Sequence, residues 1–341
     1  MTPRERVVAA VRHQETDMVP YQVDFTREAH RKAAAYYRDE RIERHIGNHL
    51  SNAMYDIYEA THRAIGADRF QDHFGVVWNR SVDKDIGNVE GLCLPKPTLA
   101  SYAFPAVDVE FYRGIYRRFV AENPETFRLG AIGFSLFERA WTLRGMENLL
   151  MDMVEQPAFV DELLERICEY NLGAIRVAME FPIDAVHFGD DWGQQQGTIM
   201  GPAMWRRFIK PHLARMYREV KSKGLYVSQH SCGDVRELMG DLVDIGLYIF
   251  NTFQPEIMEP AWAKREYGNH LTFWGGISTQ RVLPFKSPAE VRENVQYMLR
   301  TMGQNGGYIC AGTHDIPADV PTENLVAMIE TLKNQPIASS Q

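Results

Sequence analysis

The sequence predicts an α/β fold, and within that class a TIM-type (β/α)8 barrel with N-terminal helical additions. Short apolar strands alternate with amphipathic helices along most of the chain, which is typical of a parallel sheet. The length of 341 residues suits a decorated barrel. A doubly wound open sheet is the alternative, but no Gly-x-Gly-x-x-Gly turn follows the first predicted strand. The barrel is therefore the leading prediction.

The predicted elements can be justified in chain order. A helix begins at Thr2, because a Thr N-cap is followed by Pro3 and then by Glu5 in the spacing of a capping box. Apolar runs predict seven strands, at residues 19–25, 127–133, 184–188, 225–230, 248–253, 271–274 and 308–311. Helical periodicity predicts helices at residues 155–180, at 202–223 with a disturbance at Pro211, from Ser287 onward, and at 322–332.

Two regions remain. An eighth strand is expected between Gly66 and Trp78, inside the turn-rich stretch 70–97, which is interpreted as a hairpin or a long loop over a pocket mouth. No Pro-, Gly- or Ser-rich linker interrupts the chain, so a single domain over residues 1–341 is predicted.

Composition excludes several classes of function. The formal charge of −8 and the scattered basic residues indicate neither a nucleic-acid partner nor binding to an anionic membrane. No apolar run is long enough to span a bilayer, and the N-terminus is charged and helical, so we expect a cytoplasmic protein. Four cysteines in a chain of this length predict free thiols or metal ligands rather than a disulfide framework.

The pair His230 and Cys232 is the strongest chemical signal. Residues two apart on an extended strand project to the same side, so an imidazole and a thiolate would lie together at a strand end. Cys310, at the end of the last predicted strand, is the candidate third zinc ligand. The alternative is that these are buried core side chains, as Cys168 is on its helix, while Cys93 lies in a predicted loop without a partner.

Three protein ligands leave one zinc position open, which is typical of catalytic rather than structural zinc. Gln254 or Glu256, near the end of the next strand, could occupy that position at rest, although glutamine is an unusual zinc ligand. Both are also candidate substrate-binding residues.

Acidic and amide side chains follow two other predicted strands. Asp190, Asp191 and Glu138 are the candidate catalytic residues, and Trp192 and Gln194 join the candidate substrate-binding set. The alternative for the first group is a solvated turn with a helix-capping Asp. The alternative for Glu138 is an ion pair with Arg139 at the barrel rim.

Several segments resemble the uroporphyrinogen decarboxylase superfamily over nearly the whole chain. They are Asp17-x-Val19-Pro20, Asp72-x-Phe74-Gly75-x-x-Trp78, Phe137-Glu138-Arg139-Ala140-Trp141-x-Leu143-Arg144-Gly145, Gly189-Asp190-Asp191-x-Gly193, His230-x-Cys232-Gly233, Gly275-Gly276-Ile277 and Gly306-Gly307-Tyr308-Ile309. The resemblance implies a distorted (β/α)8 barrel with its pocket at the C-terminal ends of the strands.

Within that superfamily the chain is more similar to the zinc-dependent corrinoid methyltransferases than to the decarboxylases. The Arg-rich decarboxylase signature is missing, since the corresponding region reads Tyr21 to Glu28, and no Phe-Ser-Asp-Ile-type turn is identifiable. His230, Cys232 and Cys310 match the methyltransferases' His-x-Cys…Cys zinc motif. The departure is Gln254, which stands where several of those enzymes place an acidic ligand.

The resemblance implies a zinc-dependent methyltransferase that moves a methyl group between a small methylated substrate or thiol and a corrinoid (cobalamin). A partner corrinoid protein would present that cofactor, because no Asp-x-His-x-x-Gly motif occurs in the chain. A homodimer is also expected from the family. The alternatives are a metal-free lyase acting on a tetrapyrrole or other carboxylate, and a non-catalytic barrel that binds a ligand or a corrinoid protein.

Overall fold

The structure is a computed structural model and describes residues 1–335. Its helices are α1 (Pro3–Val11), α2 (Arg27–Tyr37), α3 (Glu43–Ile46), α4 (Met54–Thr61), α5 (Val109–Glu122), α6 (Phe137–Arg144), α7 (Met146–Glu155), α8 (Pro157–Ala178), α9 (Pro202–Met204), α10 (Lys210–Lys221), α11 (Met239–Ile245), α12 (Pro260–Tyr267), α13 (Pro288–Met302) and α14 (Thr322–Lys333). Its strands are β1 (Leu50–Asn52), β2 (Arg63–Gly66), β3 (Arg69–Gln71), β4 (Val77–Asn79), β5 (Asn88–Glu90), β6 (Phe127–Ile132), β7 (Ala185–Gly189), β8 (Gly193–Gln194), β9 (Gly197–Thr198), β10 (Tyr226–His230), β11 (Ile249–Phe253), β12 (Thr272–Ile277) and β13 (Tyr308–Gly312).

The α/β prediction is confirmed. Within the described residues seven parallel strands, β1, β6, β7 and β10–β13, alternate with helices. The described residues divide into two compact units: unit 1 comprises residues 1–51, 124–127 and 248–335, and unit 2 comprises residues 52–123 and 128–247. The single domain expected from the sequence stays a prediction. None of the helices within residues 1–335 is both long and apolar enough to cross a bilayer.

Unit 2 is built on three adjacent parallel strands, β6, β7 and β10. Strand β7 is buried on both faces up to its last residue, as expected for a parallel strand covered by helices. Helix α8 begins at Pro157 and buries Leu163, Leu164 and Ile167 completely. Removal of each such side chain from water stabilises the fold by about 2 kcal/mol. The apolar period of the sequence therefore places this helix correctly.

The eighth strand expected between Gly66 and Trp78 is not part of the parallel set. Strands β3 and β4 lie there, but they pair antiparallel with each other and with β2 and β5 in a separate sheet of unit 2. Asp72 shapes the turn between them, since its Oδ1 accepts hydrogen bonds from the N–H groups of Phe74 (2.9 Å) and Val76 (3.0 Å). The hairpin interpretation of this stretch is the correct one.

Unit 1 contains the adjacent parallel strands β11, β12 and β13. The predicted strand 19–25 is not regular and forms only two isolated parallel bridges, Tyr21 to Cys310 and Phe25 to Ile316. Pro20 has no N–H to donate, which interrupts a ladder at this point. Strand β1, which has no apolar run that would predict it, is one of the seven parallel strands instead of residues 19–25.

The helix predicted at 202–223 is interrupted, as expected, near Pro211. A π-helical turn (Trp205–Ile209) separates α9 from α10, and Pro211 occupies the first turn of α10. A proline lacks the N–H that a continuous helix requires, and the first turn is where that loss is tolerated. The capping boxes at Thr2 and Ser287 form as predicted.

The buried ion pair between Arg144 and Asp152 should be important for the stability of unit 2. The two groups lie 2.6 Å apart with side chains 8% and 7% exposed, and Arg144 also donates to the carbonyl oxygens of Leu94 and Pro95. Asp152→Ala leaves a buried guanidinium without its counter-ion, so the free energy of unfolding should fall by about 3–5 kcal/mol. Urea denaturation measures this change. The matched control is Asp161→Ala, which breaks a half-exposed pair with Arg207 and should cost less than about 1 kcal/mol.

A second prediction concerns pH and unit 1. His49 is buried beside the Arg6 guanidinium, and burial, helped by that charge, lowers its pKa from 6.5 to about 4. The unfolded chain binds a proton here between pH 6.5 and 4, and the folded chain does not. The free energy of unfolding should therefore decrease as the pH is lowered through this window, by up to about 3 kcal/mol. His49→Asn retains an acceptor for the Tyr21 N–H and should flatten the profile. The free energy of unfolding of His49→Asn is compared with its own value at pH 8. If it falls between pH 6.5 and 4 as steeply as that of the wild type, His49 is not the group responsible.

Candidate functional site

The candidate site of unit 2 lies where β7 and β10 end side by side. His230, the last residue of β10, pairs with Gly189, the last residue of β7. The Asp190 N–H donates to the His230 carbonyl oxygen at 3.2 Å. The parallel register therefore brings the residues after both strands to the same edge, as the sequence predicts.

His230 and Cys232 do project together. The Cys232 Sγ and the His230 Nε2 lie 3.3 Å apart. Asp191 completes this group, because its Oδ1 accepts the Cys232 N–H at 2.8 Å and lies 3.5 Å from the His230 Nε2. Burial and the nearby carboxylates of Asp191 and Glu138 raise the pKa of the Cys232 thiol well above its ordinary value. The thiol is thus neutral unless a cation is placed beside it.

Asp190 is a structural centre of this edge. Its carboxylate is completely buried and accepts hydrogen bonds from the N–H groups of Phe137 (3.0 Å) and Glu138 (2.8 Å), and from the Trp192 indole (2.7 Å). The Phe137 and Glu138 N–H groups belong to the first turn of α6, whose donors have no partner within the helix. Burial raises the pKa of Asp190 to about 6, against the hydrogen bonds, which lower it. The interpretation of Asp190 as a helix-capping residue is therefore correct, but its carboxylate is buried and not solvated.

Glu138, on the first turn of α6, forms an acidic cluster with Asp190 and Asp191. Burial, followed by repulsion from Asp191 and Asp190, raises its pKa well above the ordinary value. A carboxyl group held protonated at neutral pH can donate a hydrogen bond or a proton. Arg139, the next residue, pairs instead with Asp72 at 2.6 Å, so the expected Glu138–Arg139 pair is replaced by a longer-range one.

The other two candidates of unit 2 are positioned differently. Trp192 is completely buried against Trp205, with ring centroids 5.2 Å apart, and its backbone N–H donates to the Ser231 hydroxyl at 3.0 Å. Gln194 is exposed, and its backbone carbonyl oxygen accepts the Asp234 N–H at 2.7 Å. Their predicted role in substrate binding stays a prediction.

Gln254, Glu256 and Cys310 belong to unit 1. Gln254 is buried directly after β11, and Glu256 accepts a hydrogen bond from the Ser278 hydroxyl. Cys310 is the middle residue of β13 rather than its end, because pairing with β12 continues through Gly312. It is completely buried, and burial raises its pKa to about 12. Its role as a zinc ligand stays a prediction.

Two histidines near strand ends were not selected from the sequence. In unit 2, His187 lies on β7 and its Nδ1 is 2.8 Å from the Ser228 hydroxyl, and its ring centroid is 6.4 Å from that of His230. Burial, followed by repulsion from His230, lowers its pKa to about 3. In unit 1, the exposed His314 follows β13 by two residues. Both positions could have been found by asking which imidazoles lie on or just beyond a predicted strand.

The donor set of unit 2 fits a zinc ion. Zinc–ligand bonds of about 2.3 Å to sulfur and about 2.0–2.1 Å to nitrogen, at a tetrahedral angle, place the two ligand atoms roughly 3.5 Å apart. The observed 3.3 Å between the Cys232 Sγ and the His230 Nε2 agrees. His230 and Cys232 are among the described residues whose ligand atoms lie close enough together to hold one metal ion. Surrounding carboxylates would also offset the charge of a divalent cation.

Two glycines determine how the loops after β7 and β10 cross. A Cβ at Gly193 would lie 2.5 Å from the Cys232 carbonyl oxygen, and one at Gly233 would lie 2.3 Å from the Gly193 carbonyl carbon. Gly193→Ala should therefore displace the Cys232 loop, weaken zinc binding at least tenfold and cost about 1–3 kcal/mol of stability. Zinc titration and urea denaturation measure the two effects.

Gly240→Ala is the matched control, because a Cβ at that helical position meets nothing within 4 Å. It should leave zinc affinity unchanged and leave stability equal or higher by up to about 1 kcal/mol. Wild-type zinc affinity in Gly193→Ala would contradict the proposed importance of this crossing.

Comparison with solved structures supports the barrel. A methyltransferase from Methanosarcina mazei superposes with a TM-score of 0.71 at 16% identity, over 98% of both chains. A B12-independent methionine synthase from Shewanella sp. W3-18-1 gives a TM-score of 0.50 at 9% identity, over 94% of this chain and 95% of that one. At such identities the likeness shows the fold, and the TIM-barrel type predicted from the sequence is confirmed.

Sequence comparison identifies the family. Curated uroporphyrinogen decarboxylases from Thermus thermophilus and Chloroflexus aurantiacus are 25% and 22% identical to this chain over 187 and 191 residues. These matches cover 53% and 55% of this chain, which spans about half the length of the curated relatives, 50% and 52%. The family model for uroporphyrinogen decarboxylase (URO-D) matches residues 106–335, about two thirds of the sequence. The chain belongs to the uroporphyrinogen decarboxylase family.

Proposed function

We propose that this protein is a zinc-dependent methyltransferase. It would move a methyl group between a small methylated substrate or thiol and a corrinoid carried by a partner protein. The observation that carries the proposal is the pair of zinc-ligand atoms, His230 Nε2 and Cys232 Sγ, 3.3 Å apart at a strand end beside Asp191. The similar fold of the Methanosarcina mazei protein, described as a methyltransferase, supports it.

His230 and Cys232 would hold the zinc ion, and two residues are candidates for the third ligand. Cys310 is the ligand that the sequence motif selects, but it lies in the buried middle of β13. His314 is the competing donor, because it lies beyond the end of that strand, where barrel enzymes place their functional side chains. Gln254 or Glu256 would be a resting fourth ligand or a substrate contact.

When bound, zinc would supply a Lewis acid that stabilises the deprotonated form of a substrate thiol or polarises a methoxy oxygen. The chain's own residues prepare that site. Asp191 orients the Cys232 backbone and the His230 ring, while buried Asp190 fixes the first turn of α6. Glu138, protonated on that turn, would deliver or take a proton at the substrate heteroatom.

The charge of unit 2 favours a neutral or cationic substrate. Asp190 and Asp191 lie close to Glu138, so a substrate with several carboxylates would meet their negative charge. This argues against a tetrapyrrole decarboxylase, the alternative suggested by the names of the curated relatives. Trp192 and Gln194 would shape the substrate pocket. A corrinoid-protein partner, a homodimer and a cytoplasmic location complete the proposal.

Metal analysis of the purified protein tests the proposal. Wild type should contain about one zinc per chain, and Cys232→Ser should lose most of it because a hydroxyl is a poor zinc ligand. Cys168→Ser is the matched control, since Cys168 is buried in α8 with its Sγ facing the His212 carbonyl oxygen. That variant should retain zinc. Comparison of Cys310→Ser with His314→Ala then identifies the third ligand as the one whose loss removes the metal.

Two results would overturn the proposal. One is wild-type protein without zinc after preparation in zinc-containing buffer. The other is zinc-loaded protein that transfers no methyl group between cobalamin and any of a panel of thiols and methoxylated compounds. Release of carbon dioxide from uroporphyrinogen by the metal-free protein would show instead that the protein is a decarboxylase.

A further inference from the structure

Two peptide groups join His230 to Cys232, and hydrogen bonds hold both of them. The second peptide group donates its N–H, that of Cys232, to the Asp191 carboxylate at 2.8 Å. The first presents the His230 carbonyl oxygen, which accepts the Asp190 N–H at 3.2 Å and the Gln229 Nε2 at 2.7 Å. A peptide group is planar, so the direction of its C=O or N–H fixes the orientation of the whole group. The separation of the two ligand side chains therefore depends on these bonds.

Gln229 is the side-chain donor to this carbonyl, and it lies on the face of β10 that packs on α10. Successive side chains of a strand point to opposite faces, so Gln229 and His230 project to opposite sides of the sheet. Gln229 is completely buried, and the hydroxyl of Tyr217 on α10 donates to its Oε1 at 2.7 Å. Tyr217 is completely buried as well. A chain of hydrogen bonds thus runs from α10 through Gln229 to the His230 peptide group.

Hydrogen-bond chemistry favours one orientation of the Gln229 amide. The opposite orientation would turn its Oε1 toward the His230 carbonyl oxygen and place two acceptors 2.7 Å apart. The Tyr217 hydroxyl stabilises the observed orientation by donating to Oε1. A methionine of similar volume would fill this position without burying an amide, so packing alone does not require glutamine here. The amide is explained by the two bonds that it makes.

We propose that Gln229 is a positioning residue for a metal ion held by His230 and Cys232, and that Tyr217 acts through Gln229. The inference rests on the proposed zinc site, and Gln229 acts on it through the His230 main chain rather than as a ligand. Loss of a partner that orients a metal ligand weakens metal binding roughly 10–100-fold. Gln229→Met should accordingly weaken it about tenfold. Tyr217→Phe leaves the Gln229 donor in place and should weaken it less than about threefold.

Titration of the full-length protein with Co²⁺ tests the proposal. Zinc is first removed with a chelator, and Co²⁺ is then added to the wild type and to each variant. Co²⁺ is the probe because it absorbs visible light when it is bound by thiolate and imidazole, whereas d¹⁰ Zn²⁺ does not. The wild type should develop these bands, and Gln229→Met should need about ten times more free Co²⁺ to reach half of the full absorbance.

The double variant Gln229→Met/Tyr217→Phe separates positioning from general stability. In Gln229→Met the Tyr217 hydroxyl is left buried without its acceptor, so removing that hydroxyl as well should restore part of the lost stability. Co²⁺ affinity should not recover, because the His230 carbonyl still lacks its side-chain donor. The double variant should therefore unfold at a higher urea concentration than Gln229→Met and bind Co²⁺ equally weakly. If Gln229→Met does not fold, the double variant is compared directly with the wild type.

Tyr116→Phe is the matched control. Tyr116 is a fully buried tyrosine of unit 2 whose hydroxyl accepts the Ala131 N–H at 3.2 Å on β6. Its variant should unfold at a lower urea concentration than the wild type but bind Co²⁺ with unchanged affinity. The positioning role is overturned if Gln229→Met, or the double variant in its place, binds Co²⁺ as tightly as the wild type. It is also overturned if affinity recovers together with stability in the double variant. Absence of Co²⁺ binding by the wild type would overturn the proposed zinc site as well.

Discussion

The buried carboxylate of Asp190 is the constraint on which the rest of the site depends. It accepts the N–H groups of Phe137 and Glu138 at the beginning of α6 and the indole N–H of Trp192 in its own loop. A buried anion is costly unless it is hydrogen-bonded, and these three donors meet that requirement. The same bonds hold α6 against the end of β7. They thereby direct Glu138 toward Asp190 and Asp191, and Arg139 toward Asp72.

The acidic cluster disfavours the thiolate form of Cys232, which is the form that binds a metal ion. Glu138 and the Cys232 thiol both have raised pKa values, because burial and neighbouring carboxylates disfavour more negative charge. A divalent cation at the His230–Cys232 pair would reverse that balance by favouring the thiolate. The excess of acidic groups is thus a physical reason for a metal at this edge, independent of family membership. It is equally a reason why a polyanionic substrate fits poorly.

Two glycines make the close approach of the site loops feasible. Gly193 and Gly233 pass each other at distances that leave no room for a Cβ atom on either. Gly233 also has a φ of +79°, which a side chain would disfavour. Backbone crossing at this point fixes Cys232 relative to Asp191. The sequence shows both glycines beside the functional residues, but adjacency along the chain does not reveal that they meet.

The sequence by itself determined the α/β class, the strand ends that carry His230 and Asp190, and helices such as α8, because periodicity and capping are local properties. It also paired His230 with Cys232 correctly. Only the tertiary structure decided that Asp190 is buried, that Arg139 pairs with Asp72, that β3 and β4 form a separate antiparallel sheet, and that Cys310 lies within β13 rather than at its end. These outcomes depend on contacts between distant segments, for which neither period nor motif is informative.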